Sequence, residues 1–311
     1  MADKTHIEWT DATWNIINGC TVLSPGCTNC YAMRLAGTRL RNHPSREGLT
    51  KDSNAGPVWN GTVRLYEPLL DQPKRWSRRR EIFVCAHGDL GHPAVDDRML
   101  DKVFVAMLEA PQHIYQILTK RPERFVAYFA DLPNRQREWS CYSGLDWFDG
   151  IPSNWWFGIS AEDQKRYDER WHVLAQLPAA VRWVSAEPLL GALDITGHAI
   201  MPQWLVAGGE SGPGARPMHP DWARGLRDQC AASGVPFLFK QWGSWVSIYD
   251  RDRDDPDWRA CPRPGDWSRK RYLNLAGGQG FHGDQLHMMQ NVGKKAAGRL
   301  LDGVQHDGRP A

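Results

Sequence analysis

The chain has 311 residues, 41% of them apolar, with 38 Lys and Arg set against 36 Asp and Glu. This length holds one α/β barrel with insertions or two ordinary domains. The near-neutral balance does not force a polyanionic partner, although a local basic patch can still exist. The polar start MADKTHIEWT is not a secretion signal, and no run of about eighteen apolar residues exists to span a membrane, so a cytoplasmic protein is expected. Seven Cys, at 20, 27, 30, 85, 141, 230 and 261, form an odd set that suits no disulfide framework; three fall within eleven residues, which points to metal.

In chain order, short runs rich in Val, Ile, Phe and Trp predict strands over 12–19, 82–86, 114–118, 155–159, 183–186, 204–207 and 237–239. Amphipathic stretches predict helices over 30–41, 96–109, 122–130, 164–176 and 220–233. Asp96-Asp97, Arg121-Pro122-Glu123 and His219-Pro220-Asp221 mark helix starts, and Gly234 marks a stop. Residues 42–62 and 131–153, the latter with Cys141 and Trp147, read as irregular insertions. The tail from Asp250 loses periodicity, with one hairpin expected around 272–287. Repeated strand–helix alternation predicts a parallel sheet with right-handed crossovers. A TIM-type (β/α) barrel, partial or full, over 1–249 with a C-terminal extension over 250–311 is preferred. Polar residues recur just after each strand: Cys20, Asp89, Thr119 with Lys120 and Arg121, Ser160 with Glu162, Glu187, Glu210, and Lys240 with Gln241. In barrels these strand ends form the active-site rim.

Cys20, Cys27 and Cys30 read C-x6-C-x2-C, with a turn at Pro25-Gly26. Such a loop can aim three thiolates at one centre. A [4Fe–4S] cluster is normally held by four Cys, so three leave one iron open. An open iron can chelate the amino and carboxylate groups of S-adenosylmethionine (SAM). Cys30 would open the first helix, whose positive end favours thiolate. A zinc knuckle completed by Cys85, or by a His such as His6, is the competing assignment, and no metal at all is a third.

The segments IEWTDATWN…GC…SPGCTNCYA, QILTKRPERF, SAEPLLG, VAGGESGPGARPMHPDW, PFLFKQWG and VGKKAAGRLLDG resemble a large family of bacterial and prophage-borne proteins, described as phage proteins of unknown function with a radical-SAM-like core. The resemblance runs from Ile7 to about Gly303. It implies a TIM-type barrel and a three-Cys cluster on Cys20, Cys27 and Cys30, and names no reaction. The spacing departs from the usual C-x3-C-x2-C with an aromatic before the last Cys: here Asn29 precedes Cys30 and Tyr31 follows it.

Around this loop, Asp89 is expected to accept from the SAM ammonium or ribose, with His87 as a base. Glu162 and Glu187 are expected on ribose hydroxyls or the ammonium. Lys120 with Arg121, and Lys240 with Gln241, can grip an anionic substrate or the SAM carboxylate. Gly208-Gly209-Glu210 resembles the Gly-Gly-Glu segment of radical SAM proteins but follows the sixth strand rather than the second. With Arg216 it forms a backbone-rich loop suited to an anion. Capping and rim salt bridges explain each of these singly. The run Lys74-Arg-Trp-Ser-Arg-Arg-Arg80 can contact phosphates with Trp76 stacked on a base, or be a solvated helix end. Two functions stand side by side. One is a radical SAM enzyme with a [4Fe–4S] cluster, an external reductant and an unknown, nucleic-acid-related substrate. The other is a non-catalytic nucleic-acid- or partner-binding protein with a structural metal. No oligomerisation signature is present, and no catalytic residue beyond the cluster is assigned.

Overall fold

The computed structural model describes residues 5, 7–143, 150–251, 269–280 and 282–310. Seven strands form one sheet in chain order: β1 (Ala12–Trp14), β2 (Glu81–Val84), β3 (Ile114–Thr119), β4 (Trp155–Ser160), β5 (Val181–Ala186), β6 (Trp204–Gly208) and β7 (Phe237–Gln241). The pairs β1/β2, β2/β3, β3/β4 and β6/β7 run parallel. The order ends at β1 and β7 without pairing them, so among the described residues the sheet is an open, curled half-barrel: the partial form of the expected barrel is present, and closure is not. The edge of β7 is covered instead by the C-terminal segment, where Leu238 bridges Asp307 and Phe239 N–H donates to the His306 carbonyl.

The chain divides into two compact units. The first holds Met1–Ile159 and Glu169–Trp183; the second holds Ser160–Asp168 and Val184–Ala311. In the first unit, helices α1 (Tyr31–Gly37), α2 (Asp97–Leu108), α3 (Glu123–Phe129) and α4 (Leu132–Ser143) follow the early strands. α5 (Gln164–Leu174) spans the boundary. The second unit holds α6 (Pro220–Ser233) and an antiparallel sheet of β8 (Trp245–Arg251), β9 (Lys270–Leu273) and β10 (Leu286–Asn291), ordered β8-β10-β9. The hairpin expected around 272–287 is the β9/β10 pair. No helix among the described residues is long and apolar enough to cross a membrane.

The strand and helix runs follow the expected positions because their apolar residues are buried on both sheet faces, as in β4, buried along its whole length. Three differences have local causes. The strand expected over 12–19 stops at Trp14. Asn15 turns its side chain to accept from His87 N–H, and Ile17–Asn18 pair antiparallel with Arg64–Leu65 instead. α1 ends at Gly37, not residue 41, where a Cβ would sit 2.0 Å from Pro57. The insertion expected over 131–153 contains α4, whose buried Gln136 and Trp139 are too narrow a stripe to read as a helix; residues 144–149, with Trp147, lie outside the described residues. Many of the Trp residues are core: Trp14, Trp139, Trp155, Trp171, Trp183 and Trp204 are almost wholly buried. Phe104 stacks on Trp155 at 4.9 Å and 20°. Gly158 admits the Trp183 ring, which a Cβ would approach to 2.4 Å.

α4 is fastened by a buried polar node rather than by apolar area. Asp101 of α2 accepts from the Tyr128 hydroxyl at 2.6 Å and from Trp139 Nε1 at 3.1 Å. Burial raises the Asp101 carboxyl pKa while these donors and Arg135 oppose the rise. Replacing Asp101 by Ala leaves both donors buried without their acceptor. We expect Asp101→Ala to lower unfolding free energy by about 3 kcal/mol, read as an earlier urea midpoint.

Candidate functional site

β1, β2 and β3 are neighbours, so the loops leaving their C-terminal ends share one edge of the first unit. The first of these loops carries the cysteines. Gly19, with φ of +95°, bridges Gly88 beyond β2, and a Cβ on it would meet the Thr62 carbonyl at 2.1 Å; this close passage sets where Cys20 begins. Pro25–Cys27 make a single 3₁₀ turn, and Cys30 N–H donates back to the Cys27 carbonyl at 3.3 Å. Cys30 is the N-cap of α1, its sulfur accepting from Met33 N–H at 3.5 Å. The buried face of α1, Ala32, Met33 and Ala36, packs with Leu49 and Trp59, and Cys20 and Cys30 rest against that cluster. All three thiols are free and half-buried.

Their electrostatics depend on Arg121. Its guanidinium donates to Asp89 at 2.6 Å, to Cys20 Sγ at 3.7 Å, and to Thr21 Oγ1 at 2.6 Å. Asp89 also accepts from Thr119 Oγ1 at 2.6 Å and from Gly91 N–H at 3.0 Å. The ion pair is almost fully buried. Burial pushes the Cys20 thiol up to about 12; Asp89 adds to the rise and Arg121 opposes it. Burial also raises Cys30, opposed by Met33 N–H and Lys120. Asp89 and Arg121 therefore hold each other and the Cys20 loop. An anionic or ammonium-bearing ligand expected at Asp89 and Arg121 would therefore have to join this pair.

β2 ends at Val84, and Cys85 just beyond it takes φ of +61°, a strained conformation for a side chain with a Cβ. Its buried thiol is pushed up to about 12 by desolvation. His87 follows, with its Nδ1 2.7 Å from Arg46 Nη2. The Tyr31 hydroxyl donates to the Ala86 carbonyl at 2.6 Å, and its ring stands edge-on to His87. Among the described residues, Cys85 forms no group with the three loop cysteines at the spacing of ligands on a single ion, and His6 and Cys261 lie outside those residues.

In the second unit, the segments that follow β5 and β6, together with β7, bring a second polar set together. Glu187 accepts from Lys240 Nζ at 2.9 Å and Gln241 Nε2 at 3.2 Å, and its carbonyl lies 3.4 Å from Ser160 Oγ. Gly208 leaves room beside Glu187, since a Cβ would stand 3.4 Å from its carboxylate. Gly209 admits the Trp242 carbonyl, 2.1 Å from where a Cβ would lie. Glu210 takes Arg216 through Nη2 at 2.6 Å and Nε at 2.9 Å, so the loop's own carboxylate occupies the arginine expected for an external anion. Lys240 is likewise held by Glu187 rather than open to a ligand. Glu162 is fully buried and its carbonyl accepts from Leu190 N–H. In the basic run, Trp76 is buried beneath Arg80 and Lys74 pairs with Asp71 and Glu109, which corrects the stacking role given to Trp76.

One constellation escaped sequence reasoning. Among the described residues, only His219, Asp221 and His287 bring three potential ligand atoms within 4.8 Å of one another. The available signal was a His rather than Ser, Thr, Asp or Asn at a helix N-cap.

A family model described as "Protein of unknown function (DUF5131)" matches residues 4–310. The chain belongs to this family. The DUF5131 match covers both units and every residue discussed above. The sequence has no match among curated proteins. Two solved structures of spore photoproduct lyase variants are similar at 9% identity and a TM-score of 0.38, covering 88% of this chain and 67% of theirs.

His87 makes the first unit sensitive to acid. Burial, then Arg46 and Arg39, push it down from 6.5 to about 4. Between those values the unfolded chain carries the proton and the fold does not, so stability is lost as pH falls from 6.5 toward 4 and is flat below. We expect a loss of about 3 kcal/mol over that window, absent in His87→Gln. Denaturant midpoints of the two proteins across the pH range measure it.

Proposed function

We propose that this protein is a radical SAM-type enzyme whose Cys20, Cys27 and Cys30 hold a [4Fe–4S] cluster. The observation that carries this is the setting of the loop. Three free, half-buried thiols lie on one short segment, with the Arg121 guanidinium on Cys20 and the Met33 N–H on Cys30. Buried thiols with raised pKa values need a cation to become thiolates, and hydrogen bonds to the sulfurs help set a cluster's potential. Among the described residues the three sulfurs do not form a group at single-ion spacing; a [4Fe–4S] cluster bound there would be held by all three as thiolates.

When bound and reduced, such a cluster supplies one electron to the SAM sulfonium, releasing methionine and a 5′-deoxyadenosyl radical that removes a hydrogen atom from substrate. The protein's own groups have distinct tasks. Asp89 holds Arg121 against Cys20. Lys120 lends positive charge toward Cys30. Glu187 and Glu210 act through Lys240 and Arg216, and Ser160, Glu162, Gly208 and Gly209 supply hydroxyl, carboxylate and backbone groups at the strand ends. The substrate class we favour is nucleic acid or nucleotide, met by the exposed Arg75, Arg78 and Arg79.

The test is anaerobic reconstitution with iron and sulfide, then reduction with SAM and chromatography for 5′-deoxyadenosine. We expect iron and sulfide at cluster stoichiometry and a product lost in Cys30→Ala. Stoichiometric zinc without sulfide overturns the proposal in favour of a structural metal. A cluster that yields no 5′-deoxyadenosine, with or without nucleic acid, reduces it to an iron–sulfur protein that does not cleave SAM.

A further inference from the structure

The insertion between α1 and β2 lies in the first unit and carries a buried charge that the cysteine loop does not use. Arg46 is 6% exposed, and among the described residues no carboxylate reaches it. The groups that feel its charge are the Cys85 thiol and the Tyr66 phenol. Burial presses the guanidinium down to about 10, which leaves it a cation at neutral pH. Its Nη1 donates to Ser45 Oγ, and its Nη2 donates to His87 Nδ1 at 2.7 Å. A guanidinium has five N–H donors, so these two bonds leave three. Because Nη2 can only donate, His87 Nδ1 accepts, and the neutral imidazole carries its proton on Nε2. Arg46 Nε and His87 Nε2 make no hydrogen bond among the described residues and are not sealed from water.

A buried guanidinium without an anion is costly, because it gives up its water and gains no opposite charge. Arg121, equally buried, has Asp89 for this purpose. The Cys85 thiol cannot serve Arg46 in the same way, since burial holds it up at about 12 even beside the guanidinium. What surrounds Arg46 is a set of donors: its own unused N–H groups and the Nε2–H of His87. Arg39, exposed just past α1, adds positive charge toward His87. Such a set calls for an anion rich in acceptor oxygens, and a phosphate group presents three where a carboxylate presents two. Beside it, the exposed Tyr31 ring stands edge-on to His87 at 5.9 Å, with its hydroxyl fixed on the Ala86 carbonyl at 2.6 Å. A fixed, exposed ring next to uncompensated positive charge suits a nucleotide, with phosphate on the donors and base on the ring.

We propose that Arg46 and His87 bind the phosphate of a nucleotide whose base lies on Tyr31, the residue after Cys30. The site deepens the substrate class proposed above, and its occupancy does not depend on a cluster. It also gives the insertion a task, which is to bring a guanidinium to the segment that follows β2. Without phosphate the Arg46 charge is uncompensated and costs stability; with phosphate bound, that cost is returned as affinity.

The test is calorimetric titration of the full chain, isolated without oxygen and with no SAM or reductant added. The probes are uridine 5′-monophosphate, uridine, inorganic phosphate and acetate. We expect one equivalent of the nucleotide to bind, with uridine weaker by about tenfold or more. Arg46→Gln should weaken the nucleotide by about 100-fold, as loss of charge-assisted hydrogen bonds does. Tyr31→Ala should weaken it by about tenfold while leaving inorganic phosphate unchanged, because only the stacking is removed. In urea, the nucleotide should raise the wild-type midpoint and not that of Arg46→Gln, whose midpoint without ligand should equal or exceed the wild type's. An arginine with a purely structural role gives the opposite sign in that last comparison. Should Arg46→Gln not fold by circular dichroism, Arg39→Gln, at an exposed position, decides through a several-fold loss of nucleotide and phosphate affinity. No saturable binding of nucleotide or phosphate, or nucleotide bound equally by wild type and by the folded arginine variants, overturns the site. Acetate bound as tightly as phosphate, or displacement of the nucleotide by SAM, overturns it in favour of a carboxylate. Each of these failures leaves the cluster proposal untouched, since no step of the test uses iron or radical chemistry.

Discussion

Arg121 sits buried between a carboxylate and a thiol, and the arrangement of the first unit's strand ends follows from that position. A guanidinium cannot shed its charge, so burying it requires a partner. Asp89 is that partner, and Asp89 needs further donors, which Thr119, Gly91 and Lys120 N–H provide. What remains of the guanidinium reaches Thr21 and Cys20. One ion pair therefore joins the loops after β1, β2 and β3 and fixes one end of the cysteine segment. The other end is fixed by a helix: Cys30 caps α1, and α1 is held by its apolar face on Leu49 and Trp59. Between the two anchors, Cys27 rides on a single turn.

The same pairing logic governs the second unit. Glu187, after β5, pairs with Lys240 of β7 across the end of β6, and Glu210 pairs with Arg216 of its own loop, so polar residues gather where the strands end. A strand end rich in charge is easily read as a binding rim. Here the charges first satisfy one another. Each carboxylate then acts by aiming a cation, and a ligand that enters must compete with, or join, an existing pair.

The cysteine loop and the histidine–aspartate cluster differ in kind. The cysteine loop is half-exposed, built on one sequence segment and supported by cations that offset anionic sulfur. His219, Asp221 and His287 come from distant parts of the chain and are engaged with one another and their surroundings: His219 caps α6 through Nδ1 and meets the Gln285 carbonyl through Nε2, His287 meets Ser247, and Asp221 takes Arg224. The first suits chemistry that meets a substrate; the second fastens a helix start to a small sheet.

The periodicity of the sequence determined the α/β class, most strands to within two residues and the bounds of α6, because buried parallel strands must be continuously apolar and helix ends carry their own caps. It also marked the cysteine loop, whose ligand spacing is local. Tertiary structure alone decided the rest. α4 was not legible, since its stability lies in Trp139 meeting Asp101 rather than in an apolar stripe. Nor were the partners of Asp89, Lys240 and Glu210, because which charges meet depends on strand order and loop path rather than on spacing. His219 and Asp221 read as an ordinary helix start until β10 placed His287 beside them. A pairing between residues 66 positions apart leaves no periodic trace, so only folding reveals it.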